Sequence, residues 1–241
     1  MKPPNCGQGA IVKRPSEARG RTESGWLHSR HTFSFGDYFD PDQMGFRALR
    51  VINENIVEPG KGLGTLEHRD VEIITCVIEG EFEHKDSLGN VSLIRAGNFQ
   101  SISAGAGISH SESNPSNSNR LHFLQLWLTP SADGGRPCYA ERTLGKEARS
   151  NALTLLFCGQ PREGALEIRQ DAAIYRGKVG RGHSLAVTLA PAHHAWLQLI
   201  SGQIHMLGQV LRHGDGVGIS NTSSFEVVAD DDSLFVLLDL T

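Results

Sequence analysis

Along most of this chain apolar and polar residues alternate, or four to eight apolar residues run together between turn-forming ones. The clearest runs are FRALRVI (46–52), VEIITCVIEGEFEH (71–84), NVSLIRAGNFQSIS (90–103) and LHFLQLWL (121–128). Later come LTLLF (153–157), HSLAVTLA (183–190), AWLQLISGQIHML (195–207), SFEVVA (224–229) and SLFVLLDL (233–240). Gly, Asn, Asp and Ser separate them at short intervals. Alternation puts every second side chain on one face of a strand, and short strands divided by such turns predict an all-β sandwich or barrel. Helical spacing is scarce, and the pattern predicts one short helix around 141–152.

Two short segments recur. VIEGEF (77–82) resembles LISGQI (199–204), aligning Gly80 with Gly202, and IRAGNF (94–99) resembles LRHGDG (211–216), aligning Gly97 with Gly214. Each pair is a strand, a Gly turn, a second strand and another Gly turn, in the same order in both halves. This predicts two homologous β-barrels. The intervening TPSADGGRPC (129–138) is rich in Pro, Gly and Ser, as a boundary should be, so the domains are read as 1–130 and 131–241.

A chain of 241 residues is long enough for two such cores. Its net charge of −4 gives no electrostatic reason to expect nucleic acid as a partner. The one basic cluster, IVKRPSEARGR (11–21), is interrupted by Glu17 and reads as a solvated N-terminal arm. MKPPNCGQGA has no apolar stretch of the kind a signal peptide needs. No window approaches 18 uninterrupted apolar residues, so a cytoplasmic protein without a membrane partner is expected. Cys6, Cys76, Cys138 and Cys158 form no CxxC pair, which fits a reduced chain, with Cys76 a buried thiol in an apolar strand.

Polar groups that could carry chemistry converge on two places. One is His68, near the start of GTLEHRDVEIITCVIEGEFEHKDSLGN (64–90); the other is SAGAGISHSESN (103–114), which supplies His110 and Glu112. The i, i+2 spacing puts His110 and Glu112 on the same face of a strand. If the strands carrying His68 and His110 pair, three donors can meet in a barrel mouth. Two His and one carboxylate form the facial triad that suits Fe(II), with coordination positions left open. Spacing alone leaves a polar loop with a hydrogen-bonded or exposed His open as well.

GWLHSRHTFSFGDYFDPDQMGFRALRVINENIVEPGKGLGT, EHRDVEIITCVIEGEFEHKDSLGN, AGNFQSISAGAGISHSESNP and LHFLQLWLTP together resemble the pirin family, most of all its bacterial, quercetinase-like bicupin branch. The likeness runs almost continuously from about residue 24 to 130, and more loosely through RPCYAERTL to the final LLDL. It implies two stacked cupin (jelly-roll-like) barrels. The N-terminal one would hold a metal, usually iron, and the C-terminal one would be degenerate and metal-free. It also implies dioxygenase cleavage of flavonols such as quercetin, while the eukaryotic branch is associated with transcriptional co-regulation. The family holds its metal with His-Pro-His and His-x-Glu. By position, His68, His110 and Glu112 match, but the first His falls on Leu66 and the Pro on Glu67.

No neighbour replaces the missing imidazole readily. Glu67 points to the opposite face from His68 unless a bulge intervenes, and Glu72 and Cys76 lie too far along the strand. A water molecule is the simplest substitute, giving a weaker three-ligand centre. In the second barrel the corresponding positions, Thr188, Ala190, Val227 and Ala229, are poor ligands, and His193-His194 reads as loop. His28, His31 and Phe33 are assigned to packing or hydrogen bonding, Phe123 and Trp127 to the core, and His84 and His122 to strands, with His122 bordering the pocket. Asp86 to Asn90 forms a hairpin turn in which Gly89 or Asn90 takes positive φ.

The expected function is a pirin-like, quercetin 2,3-dioxygenase-like enzyme. It would use Fe(II) or another divalent transition metal, weakly bound, with Glu112 as base. A small flavonol-like substrate and dioxygen are its partners, and the chain is a monomer or weak homo-oligomer. The alternative is a non-catalytic pirin-like binding, sensor or regulatory protein whose metal site Leu66 has weakened.

Overall fold

The computed structural model describes residues 11–145, 149–160, 162 and 164–241. In chain order the strands are β1 (Ile11–Arg14), β2 (Gly20–Glu23), β3 (Leu27–His31), β4 (Leu49–Val57), β5 (Gly62–His68), β6 (Glu72–Glu79), β7 (Glu81–Asp86) and β8 (Val91–Arg95). They continue with β9 (Phe99–Ser103), β10 (Ile108–Ser113), β11 (Leu121–Leu128), β12 (Cys138–Arg142), β13 (Ala152–Cys158), β14 (Leu166–Glu167) and β15 (Ala172–Val179). The last are β16 (Ser184–Thr188), β17 (His194–Ser201), β18 (Gln203–Met206), β19 (Gln209–Arg212), β20 (Gly216–Ile219), β21 (Ser224–Ala229) and β22 (Ser233–Leu240).

The described residues contain a single 3₁₀ turn, Ser16–Ala18, and no α-helix. The helix expected around 141–152 is not found. Arg142 is still paired with Phe99 in a sheet, Gly145 breaks the run, and β13 begins at Ala152; residues 146–148 lie outside the described ones.

The chain divides into two compact units. One takes the described residues between 19 and 146 and between 158 and 171; the other takes those up to 18, between 147 and 157, and from 172 to 241. The chain thus passes between units more than once, where the sequence suggested one boundary at 130/131.

In the N-terminal unit one sheet has the order β12-β9-β6-β11-β4-β3-β2 and a smaller one the order β5-β10-β7-β8. Its pairings are antiparallel, so alternate side chains face inward. Val57, Val77, Phe82, Ile94, Leu121 and Phe123 form one buried cluster, in which the Phe82 and Phe123 rings meet edge to face at 5.0 Å. A second cluster of Ile73, Ile102, Ala104 and Ile108 packs against Trp127 and Tyr139.

The C-terminal unit repeats the plan, with the order β1-β20-β17-β22-β15-β13 in one sheet and β16-β21-β18-β19 in the other. The repeat seen in the sequence is a backbone repeat. Gly97 N–H donates to Val77 O (2.8 Å) where Gly214 N–H donates to Leu199 O (3.0 Å), and Gly80, Gly97, Gly202 and Gly214 all have positive φ. At Gly80 this is required twice over, since a Cβ would also lie 2.4 Å from the Arg120 carbonyl oxygen. At the positions that match the N-terminal ligands the interior of this unit is apolar: Val187, Val227 and Ala229 belong to one cluster with Leu197, Phe235 and Leu237, so these positions offer no donor atoms.

The segment read as a solvated arm is instead partly a strand. β1 pairs with β20, Ile11 opposite Ile219 and Arg14 opposite Gly216, and Arg14 is buried. Lys13 Nζ meets Asp215 at 2.9 Å and donates to Val210 O at 2.7 Å. Lys13 and Arg19 have charged partners while Glu17 and Arg21 are exposed, a difference that composition alone does not show.

Candidate metal centre in the N-terminal barrel

β10 is the centre of the smaller sheet, paired with β5 on one side and β7 on the other. Against β7 its register is regular: His110 faces Asp86 and Glu112 faces His84. Against β5, Ile108 faces His68 and His110 faces Leu66, but Glu112 faces Leu63. The register shift adds one residue to β5 near Gly64 and Thr65. It does not reach Glu67, which stays opposite Ser109 and exposed. Leu66 therefore shares the face of His110, at the site's rim, 44% exposed and without a donor.

The three candidate ligands come together. The His68 and His110 rings lie 4.9 Å apart, and His110 Nε2 is 3.6 Å from Glu112 Oε1. His110 and Glu112 are buried. Burial pushes His110 down to about 4, helped by the charges of His68 and His84, and burial also lowers His68. Both imidazoles are then neutral at physiological pH, as metal ligands must be. Burial pushes Glu112 up to about 7, opposed by its hydrogen bonds from Gln125.

Several residues that build the site were not singled out in the sequence. The Gln125 amide nitrogen donates to both Glu112 oxygens, at 2.8 and 3.0 Å, while its oxygen accepts from Trp127 Nε1 at 3.1 Å. An indole N–H can only donate, so it fixes which way the Gln125 amide faces. Trp127 also stands edge-on to His68 at 4.9 Å, with Phe35 edge-on behind it at 5.4 Å. Trp127 is thus both core and site wall, where core packing alone was expected. The signal available was the polar Gln125 inside LHFLQLWL, two residues from Trp127 and on its face. His84 is buried between Tyr139, stacked at 4.4 Å, and His110, at 5.6 Å. His122 hydrogen-bonds Glu54 at 2.9 Å. In the Asp86 to Asn90 turn it is Gly89 that takes positive φ (90°).

Whether these residues suit a metal can be judged from their unmatched atoms. Buried polar atoms without partners are rare, and here His68 Nε2, His84 Nδ1 and His110 Nδ1 all lack one. Two neutral imidazoles and a carboxylate are a donor set for a divalent transition ion. As the side chains stand, however, no group of three or more His, Cys, Asp or Glu among the described residues could hold an ion. Leu66 contributes nothing, and the Glu112 carboxylate is tied to Gln125. The donor chemistry fits; closing on an ion requires side chains to turn.

Comparison with known proteins adds to this geometry. Residues 12–128 match the family model described as Pirin, and residues 155–240 match the one described as Quercetinase C-terminal cupin domain. The chain is 40% identical over 234 residues to the quercetin 2,3-dioxygenase of Escherichia coli strain K12, covering 95% of this chain and 98% of that protein. It is 34% identical over 230 residues to a pirin-like protein of Caulobacter vibrioides, covering 95% and 99%. The crystal structure of the bacterial pirin YhhW from Escherichia coli in complex with nickel(II) superposes with a TM-score of 0.91 at 40% identity, covering 96% and 99% of the two chains. The fold is accordingly a pair of cupin barrels.

Proposed function

The chain belongs to the pirin family, and from that premise we propose that it is a metal-dependent dioxygenase of the quercetin 2,3-dioxygenase type. His68, His110 and Glu112 hold one divalent ion, Fe(II) or another transition metal, and the reactants are a flavonol-like aromatic molecule and dioxygen. The observation that carries this reading is a pair of neutral imidazoles beside Glu112, His110 buried and His68 partly so, each with a buried ring nitrogen left without a partner. When bound, the ion supplies Lewis acidity for a substrate hydroxyl and a site for oxygen chemistry.

The chain's own residues supply the rest. Glu112 is the nearest carboxylate and takes the proton of the flavonol 3-hydroxyl at an Oε atom, its orientation set by the Gln125 amide and, through it, by Trp127. Trp127 and Phe35 offer aromatic edges and faces against which a planar substrate can stack. A cleft of about 410 Å³ touches His68, but the rest of its lining, Glu67, Arg69, Ser87 and Ser109 among it, includes neither His110 nor Glu112.

Elemental mass spectrometry on protein purified without chelators or an affinity tag, followed by oxygen uptake with quercetin, tests the proposal. Near-stoichiometric metal and substrate-dependent oxygen uptake are expected. Metal-loaded protein that consumes no oxygen with quercetin at any pH from 5 to 9 would overturn it for this substrate. Leu66 favours a second reading, a binding or regulatory protein with a relaxed centre. Activity that emerges only in the Leu66→His variant would establish that one.

A further inference from the structure

We propose that His84 is an inner metal ligand of this chain, taking the coordination position left without a donor by Leu66. The inference rests on the metal reading above and adds a residue to it from a different strand. His84 is completely buried, and so is the side chain of Asp86. His84 Nε2 donates to Asp86 Oδ2 at 3.0 Å. That bond places the ring proton on Nε2 and leaves Nδ1 as a bare lone pair. Nδ1 is buried and has no partner. A core histidine held for packing alone would be expected to satisfy both nitrogens, whereas a carboxylate on one nitrogen and a free lone pair on the other is how metal-binding histidines are oriented.

The surroundings fit the same role. Asp86 is itself fixed, since it accepts from the backbone N–H of Leu88 (2.9 Å) and Asn90 (3.0 Å) and from Asn90 Nδ2 (2.9 Å). Tyr139 lies flat on the His84 ring, 11° from parallel, and holds its plane. Across the sheet His84 faces Glu112 directly. The ring spacings around His110 allow shared ligation once side chains turn, as they must for any three of these donors to close on an ion. A nitrogen about 2.1 Å from an ion puts its ring centre about 3.2 Å away, so two imidazoles on one ion have centres from about 4.5 Å at a right angle to about 6.4 Å when opposed. His68 and His84 lie 4.9 and 5.6 Å from His110, both inside that range.

Co(II) titration of the full chain, followed by calorimetry and by the visible absorption of the bound ion, tests this without recourse to activity. The expected result is that His84→Ala weakens Co(II) tenfold or more and changes the absorption bands. Adding Leu66→His to that variant should restore the affinity. His84→Gln, which keeps more of the side-chain volume, should weaken binding like His84→Ala, separating ligation from packing. If His84→Ala binds Co(II) with native affinity and spectrum while His110→Ala does not, the assignment of His84 falls and the metal site stands. If the native chain binds no Co(II) but Leu66→His does, His84 does not replace the missing imidazole. If neither binds, the metal reading fails together with this one.

Discussion

Glu54 shows how much a single side chain can gain from its neighbours. It sits on β4 and is nearly buried, and burial by itself would raise its pKa. The hydrogen bond from His122 at 2.9 Å, together with the charge and hydrogen bond of Arg19 at 2.8 Å, instead brings it down to about 2. A carboxyl whose folded pKa lies below its ordinary 4.5 adds stability that is fully present above pH 4.5 and disappears as pH falls toward 2. The difference corresponds to about 3 kcal/mol. Chemical denaturation at a series of pH values should therefore show the native chain losing about 3 kcal/mol more than Glu54→Gln between pH 4.5 and pH 2. Parallel curves for the two proteins would mean that the Glu54 carboxyl titrates alike in the folded and unfolded chain. This network lies apart from the candidate ligands, so metal binding by Glu54→Gln should be unchanged.

Elements bring the scale at which these side chains become a core. Phe82 on β7 and Phe123 on β11 come from different sheets of the N-terminal barrel, and both are buried in one cluster. Phe82→Ala should cost about 3–5 kcal/mol, through lost transfer energy and the cavity left against Phe123. Urea denaturation followed by tryptophan fluorescence would measure it, since Trp26 packs on the same cluster. Strands of this kind were legible in the sequence: β11, β21 and β22 begin and end where their apolar runs do. β15 was not, because AAIYRGKV mixes Tyr, Arg, Gly and Lys; its Gly177 is there because a Cβ would strike the Phe235 ring at 2.1 Å. His68, His110 and Glu112 could be named from spacing and resemblance. Gln125 and His84 could not be tied to them, since their roles depend on register: His84 meets Glu112 only because β7 pairs with β10 as it does. A local pattern carries strand periodicity but not which strand lies alongside.

At the scale of the whole molecule, the two barrels are alike in plan and unlike in what fills them. The N-terminal one keeps polar groups inside; the C-terminal one is apolar at the matching positions and is completed by β1. Deleting residues 1–15 should remove β1 from β20 and deprive Asp215 of Lys13. We expect a lower thermal midpoint and faster hydrogen exchange at 216–219, with protection at 62–68 and 108–113 unchanged. Equal loss of protection in both stretches would contradict the division into two units.

The pairing of β1 also carries a cost in time. Ile11 waits for Ile219, and a ribosome adding 5–20 residues per second needs roughly 10–40 s to supply the strand on which it docks. The metal-site barrel has all its strands before then. During synthesis, then, the half proposed to do the chemistry can be finished while the other half is still an open sheet.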